Sequence, residues 1–164
     1  MSEGDRYPAK LSKLLRRISA AGTRAERIQT LIDLSKQYRE VPQRIATRPY
    51  SKDHEVPGCE SKVYMFTEDK GDGTLEFHFA VENPHGISAR ALAVILAGTL
   101  SGAPLAEVAA VSTDLVYDLF GQDLSMGKSM GLQGMVQMVA RAAQRGAGAV
   151  ADGGLGQSAR SMSS

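Results

Sequence analysis

The chain has 164 residues, with nineteen basic and eighteen acidic side chains for a net charge of +1. One domain with a core of useful size is expected, without a long-range pull toward nucleic acid or anionic lipid. Hydrophobic residues make up 43% and charged residues 23%, ordinary globular proportions, and no apolar run reaches the ~20 residues that span a bilayer.

The opening, Met1-Ser2-Glu3-Gly4-Asp5, is acidic and polar, unlike a secretory signal or an Arg-rich transit peptide. It predicts a cytoplasmic protein, with a clipped organellar precursor as the alternative. A first helix is expected from Pro8 to Ala21, with Leu11, Leu14, Leu15 and Ile18 at helical spacing and Lys10, Lys13, Arg16 and Arg17 on the solvated face. Gly22 ends it, and Thr23-x-x-Glu26 reads as a capping box opening a second helix from Arg24 to Tyr38. From Glu40 to Glu60 the periodicity fails, and Pro42, Pro49 and Pro57 punctuate a long polar loop. Ordered loops of this length usually carry function. A β-hairpin follows, Ser61–Thr67 and Thr74–Val81 about the turn Lys70-Gly71-Asp72-Gly73. Leu75, Phe77, Phe79 and Val81 share one face, and Glu76 and His78 point to the other, so the sheet is expected to have one core face and one solvent face.

Asn83-Pro84-His85-Gly86 breaks the strand, and Ser88 is placed to cap an almost wholly apolar, central helix ending at Leu100. A short helix from Pro104 to Ala109 comes next, then one capped by Ser112 or Thr113 through Phe120. The last helix runs from Ser125 to Arg145, with Leu132, Met135, Val136, Val139 and Ala142 on one face. The expected organisation is one domain over residues 1–145 and a disordered Gly/Ala/Ser tail over 146–164. The fold class is α+β, a small antiparallel sheet packed against several helices.

The single cysteine, Cys59, excludes an internal disulfide framework, a Cys-rich metal site, and dithiol redox chemistry within the chain. An isolated intracellular cysteine is most often a small buried hydrophobe. Here, however, Pro57-Gly58 precedes it, a pair suited to a tight exposed turn at the end of the long loop. A thiol of pKa ~8.5 is largely protonated at neutral pH, so a nucleophilic role calls for a nearby cation or backbone donors. His54, Lys62, Arg90 and Lys128 are the candidates. The three histidines, His54, His78 and His85, fall at no metal-ligand spacing, and no metal or phosphate site is expected. Met126, Met130, Met135 and Met138 read as core. Gly127, Gly131 and Gly134 among them each cost up to ~1 kcal/mol in a helix, which implies a close neighbour such as the Cys59 loop.

Pro57-Gly58-Cys59-Glu60-Ser61-Lys62-Val63-Tyr64 resembles the cysteine motif of the SufE-like sulfur acceptors, Gly-Cys-x-Ser-x-Val followed by an aromatic. Leu124-Ser125-Met126-Gly127-Lys128-Ser129-Met130-Gly131-Leu132-Gln133-Gly134-Met135 resembles that family's second block, Leu-Thr-Pro-Ser-Arg-x-x-Gly-Leu-x-x-Met. Arg90-Ala91-Leu92 stands where the family has Lys or Arg, then Gly-Leu. The resemblance covers residues 7–145. It departs at Lys128, where the family has Arg, at Met126-Gly127 for Pro-Ser, at Tyr64 for Trp, and in an acidic stretch reduced to Glu82.

The resemblance implies that Cys59 accepts persulfide sulfur from a pyridoxal-phosphate cysteine desulfurase (SufS-like). It also implies stimulation of that enzyme and delivery to an iron–sulfur scaffold of the SUF pathway (SufBCD-like). Gly58, Ser61, Arg90 and Lys128 would support Cys59, no cofactor is expected on this chain, and a homodimer is left open. The chain would be a persulfide carrier rather than a free-standing enzyme. The competing reading is a binding module that regulates a desulfurase or scaffold without carrying sulfur. An iron–sulfur scaffold would need more ligands than one cysteine.

Overall fold

The computed structural model describes residues 6–122 and 124–163, with side chains near the C-terminal end described through residue 148. The polar opening, residues 1–5, lies outside them. Elements follow in the order α1 (Ala9–Ser19), α2 (Arg24–Ser35), a 3-10 turn (Lys52–His54), β1 (Val63–Asp69), β2 (Leu75–Val81), α3 (Ile87–Leu100), α4 (Leu105–Ala109), α5 (Leu115–Phe120) and α6 (Met126–Ser163). The fold is α+β, an antiparallel hairpin packed against helices.

Local chemistry accounts for the boundaries. Thr23 Oγ1 accepts the Glu26 N–H at 3.1 Å, and Glu26 Oε2 reaches back to the Gly22 N–H at 2.9 Å, closing the expected capping box one residue wider than its usual form. The hairpin turn is held by the Asp69 and Asp72 carboxylates, which accept from the Gly71 and Thr74 amides. Gly71 and Gly73 have φ of 82° and 86°, the left-handed region that glycine enters freely. Ser88 does not cap α3. Asn83 Oδ1 and its carbonyl accept the His85 and Gly86 amides, so a tight turn feeds straight into the helix with Gly86 at the cap position.

α3 lies at the centre. Ala91, Leu92, Ile95, Leu96 and Leu100 are buried against α2, β2 and α6, and each large side chain contributes about 1.5–3 kcal/mol of burial. In the hairpin, Val63 pairs with Val81, Met65 with Phe79 and Thr67 with Phe77, which puts Val63, Met65, Phe77, Phe79 and Val81 in that core. The opposite face is not simply solvated. Tyr64, Phe66 and Ala80 form a second small core with Val41 and with Ile45, Ala46 and Tyr50 from the long loop. His78 is half-buried there, its Nε2 3.1 Å from Glu68 Oε1. The loop's apolar residues are scattered without a period, so only the folded chain reveals that they cover this face.

The described packing of α6 passes residue 145. A methyl group built on Gly146 would stand 3.0 Å from Leu105 Cδ1, and Ala147 lies against the core. The disordered tail was expected over residues 146–164; the α6 backbone instead continues to Ser163, and the side chains of residues 149–163 lie outside those described.

Candidate functional site

Cys59 sits in the turn just before β1, half-buried. Two left-handed residues bracket it. Gly58 has φ of 72°, and Lys62 has φ of 49°, where a residue with a side chain pays about 1–2 kcal/mol. The turn is closed by the Lys62 N–H on the Cys59 carbonyl at 3.3 Å. It is tied to the end of β2 by the Glu82 N–H on the Lys62 carbonyl and the Asn83 N–H on the Ser61 carbonyl. Val56 on the near side donates its N–H to the Val63 carbonyl at 2.7 Å, fixing the loop's approach.

The floor beneath the turn is the start of α6. Gly127, Gly131 and Gly134 fall at i, i+4 and i+7 and share one face. A methyl group built on Gly131 would stand 3.0 Å from Cys59 Cα and 3.3 Å from both its Sγ and the Gly58 carbonyl. One on Gly134 would meet the Pro57 carbonyl at 3.0 Å, and one on Gly127 the Glu60 carboxylate at 2.6 Å. The three glycines are therefore the cradle for residues 56–60, the close neighbour that their helix cost implied. Opposite them, a methyl group on Gly86 would stand 2.7 Å from Ser61 Oγ. Ser125 Oγ accepts the Lys128 N–H at 3.3 Å in the first turn of α6. Tyr117 OH, 3.1 Å from Ser129 Oγ and accepting from Gln133 at 2.9 Å, locks this turn onto α5.

A cavity of about 230 Å³ opens over the thiol, lined by Cys59, Glu60 and Ser61, by Asn83 and His85, by the start of α3, and by Gly127, Lys128 and Leu132. A larger groove of about 700 Å³ runs elsewhere along β2; the smaller cavity is the chemical candidate because it holds the thiol. Burial pushes the Cys59 thiol above its ordinary value, a backbone hydrogen bond from Ser61 pulls it down, and the Glu60 charge pushes it further up. The resting sulfur is accordingly a thiol more than a thiolate.

The expected supporting residues divide. Gly58, Ser61 and Lys128 lie at the cavity or its turn, with Lys128 exposed at the rim. Arg90 is instead stacked over the Tyr38 ring at 4.7 Å, with its Nε buried and unbonded among the described residues. His54 stacks on Phe66 at 4.4 Å with Nδ1 3.1 Å from the Met65 carbonyl oxygen, lining a different cavity. Among the candidate cations, then, Lys128 alone lines the thiol's cavity. Met135 is buried as expected, but Met126 and Met130 are 80% and 58% exposed and flank the glycines. Glu60, Asn83, His85 and Ile87 were missed as cavity residues. The Asn83-Pro84-His85-Gly86 break carried the signal, because a turn dense in polar groups next to a strand end has to face something.

Glu68, Glu76 and His78 bring three ligand atoms within 4.8 Å on the outer hairpin face. Glu68 is ion-paired with Arg44 and lies against His78, and Glu76 is ion-paired with Lys70. No helix of the described residues is long and apolar enough to cross a membrane.

The SufE family, the Fe-S metabolism associated domain, matches residues 12–143. This chain belongs to that family. A SufE-like protein of Rhizobium etli is 26% identical over 142 residues, spanning 85% of this chain and 93% of the relative. The solution structure of a hypothetical protein from Thermus thermophilus has the same fold. Its TM-score is 0.67 at 17% identity, over 85% of this chain and 97% of that one. Membership in the SufE family associates the chain with iron–sulfur metabolism.

Proposed function

We propose that this SufE-family chain is a sulfur carrier, with Cys59 as the acceptor. The observation that carries the reading is the presentation of the chain's one thiol on a turn cradled by three α6 glycines, beneath an open cavity. The Cys59 thiolate attacks the outer sulfur of a persulfide on a cysteine desulfurase. A bond forms between Cys59 Sγ and that sulfur, the desulfurase S–S bond breaks, and the desulfurase leaves as its own thiolate. No net oxidation occurs, and a second exchange passes the sulfur to an iron–sulfur scaffold. Because the resting thiol is held protonated by burial and by Glu60, docking has to supply the deprotonation, either by drawing Glu60 away or by bringing a cation of the partner into the cavity. Exposed Met126, Met130 and Ile87 around the opening are soft apolar surface suited to such docking.

The same raised thiol favours a second reading, a regulatory binding module whose cysteine carries nothing. Desulfurase turnover separates the two. Cys59→Ser keeps the shape of the cavity but cannot form a persulfide. The carrier reading expects this variant to bind the desulfurase without stimulating turnover. The module reading expects full stimulation.

A further inference from the structure

We propose that His85 is the general base of the Cys59 cavity, taking the thiol's proton as Cys59 attacks a persulfide; the source of that persulfide rests on the carrier reading above. The two residues sit on turns that are fastened to each other. Val63 pairs with Val81, and the same register continues past the strands. There the Glu82 N–H donates to the Lys62 carbonyl at 3.0 Å and the Asn83 N–H to the Ser61 carbonyl at 3.1 Å. Carried two residues further, that register sets His85 opposite Cys59, and both residues line one cavity of about 230 Å³. Two more contacts hold the histidine's turn in place. Asn83 Oδ1 accepts the His85 N–H at 2.9 Å, and Gly86 packs so closely that a methyl group on it would stand 2.7 Å from Ser61 Oγ. Across a cavity smaller than an ordinary ligand pocket, an imidazole on this turn is placed to reach the thiol directly or through one water.

The histidines divide by what they already hold. His54 Nδ1 lies 3.1 Å from the Met65 carbonyl oxygen with its ring on Phe66, and His78 Nε2 lies 3.1 Å from Glu68. The exposed His85 imidazole has no hydrogen-bond partner among the described residues. Imidazole, with an ordinary pKa of ~6.5, is the side chain that is largely neutral at pH 7 yet basic enough to take a proton there. The charged groups that face it in the cavity are Glu60 from the Cys59 turn and Lys128 from α6. Glu60 opposes a thiolate and Lys128 favours one, so the proton moves to His85 once docking draws Glu60 away. The step balances within the two proteins. The imidazole takes the Cys59 proton, Sγ bonds to the outer sulfur, the desulfurase S–S bond breaks, and the departing thiolate takes the proton back from the imidazolium. No oxidant enters.

The test is the rate at which iodoacetamide alkylates Cys59 in the full-length protein from about pH 5.5 to about pH 9.5. It compares the wild type, Glu60→Gln, which stands for the acid drawn away, and Glu60→Gln with His85→Gln. A coupled thiol and imidazole share one proton over the interval between their two titrations. Glu60→Gln is therefore expected to alkylate faster than the wild type, with a reactive component already present at about pH 6. Adding His85→Gln should cut the rate at about pH 6 by roughly fivefold or more, leaving only the rise toward ~8.5 of an isolated thiol. At about pH 9.5, where the thiol ionises unaided, the two variants should react alike, which a merely structural loss would not produce. A double variant as fast as Glu60→Gln at about pH 6, or slower by the same factor at every pH, would overturn the proposal. So would slower alkylation of Glu60→Gln than of the wild type, which would make Glu60 the base. Iodoacetamide replaces the desulfurase throughout, so failure here is distinct from failure of the carrier reading, which desulfurase turnover decides.

Discussion

At Gly127 and Gly131 the same substitution has opposite consequences. Alanine at either removes the helix cost of glycine, about 1 kcal/mol. At Gly127 the obstacle is the end of the Glu60 side chain, 2.6 Å from the added carbon, and a flexible exposed carboxylate can swing aside. At Gly131 the obstacle is backbone, Cys59 Cα at 3.0 Å and the Gly58 carbonyl at 3.3 Å, so the turn itself has to move, at about 1–3 kcal/mol. Denaturation should therefore find Gly127→Ala as stable as the wild type or more so, and Gly131→Ala less stable. Alkylation of Cys59 by iodoacetamide should be faster in Gly131→Ala, because the displaced turn no longer shelters the sulfur. Equal alkylation rates in Gly131→Ala and the wild type would mean that the cradle does not hold the turn. We propose that Lys128, exposed at the rim of the cavity, serves the chemistry rather than the fold. Lys128→Ala should slow sulfur acceptance while shifting the denaturation midpoint within ~0.5 kcal/mol, and Lys128→Arg should retain acceptance. A wild-type transfer rate in Lys128→Ala would reduce Lys128 to a solvated charge.

Among the elements, the hairpin carries an ion-paired acid on its outer face. Hydrogen bonds from Arg44 and then His78 hold Glu68 down to about 2, well below an ordinary glutamate. A depressed carboxyl stabilises the fold fully above its unfolded value and loses that contribution as pH falls toward the folded one. Stability of the wild type should fall between about pH 4 and pH 2 by more than that of Glu68→Gln, as read by thermal denaturation across that range. Parallel pH profiles would show that the pair is silent. Elements with a clean period were legible in the sequence: both early helices, the hairpin, the central helix, and the glycine face of α6 with its predicted neighbour. The second core was not, because Val41, Ile45, Ala46 and Tyr50 sit in a proline-punctuated loop at no repeating interval. Nor was the separation of His54 and Arg90 from Cys59, since long side chains choose among neighbours that only the folded chain supplies. In α6, packing reaches Gly146 and Ala147. We propose that residues 149–164 are dispensable, and removing them should change stability by no more than ~1 kcal/mol. A larger loss would place them on the domain.

Across the whole molecule, the arrangement is a packed frame around one thiol. α3 and the hairpin form the core, the start of α6 is locked to α5, and the turn bearing Cys59 rests between them on glycines. The family relation was legible from two blocks about sixty residues apart. The resting state of the thiol was not, because burial and the Glu60 charge act through space. The measurement that bears most directly on the central claim is the mass of the Cys59 peptide after the protein has been mixed with a partner cysteine desulfurase and cysteine. The carrier account predicts a gain of ~32 Da, one sulfur, on that peptide, removed by reductant as expected of a reversible persulfide, and no gain in Cys59→Ser. An unchanged Cys59 peptide, while the desulfurase in the same mixture holds its own persulfide and turns over faster, would contradict it.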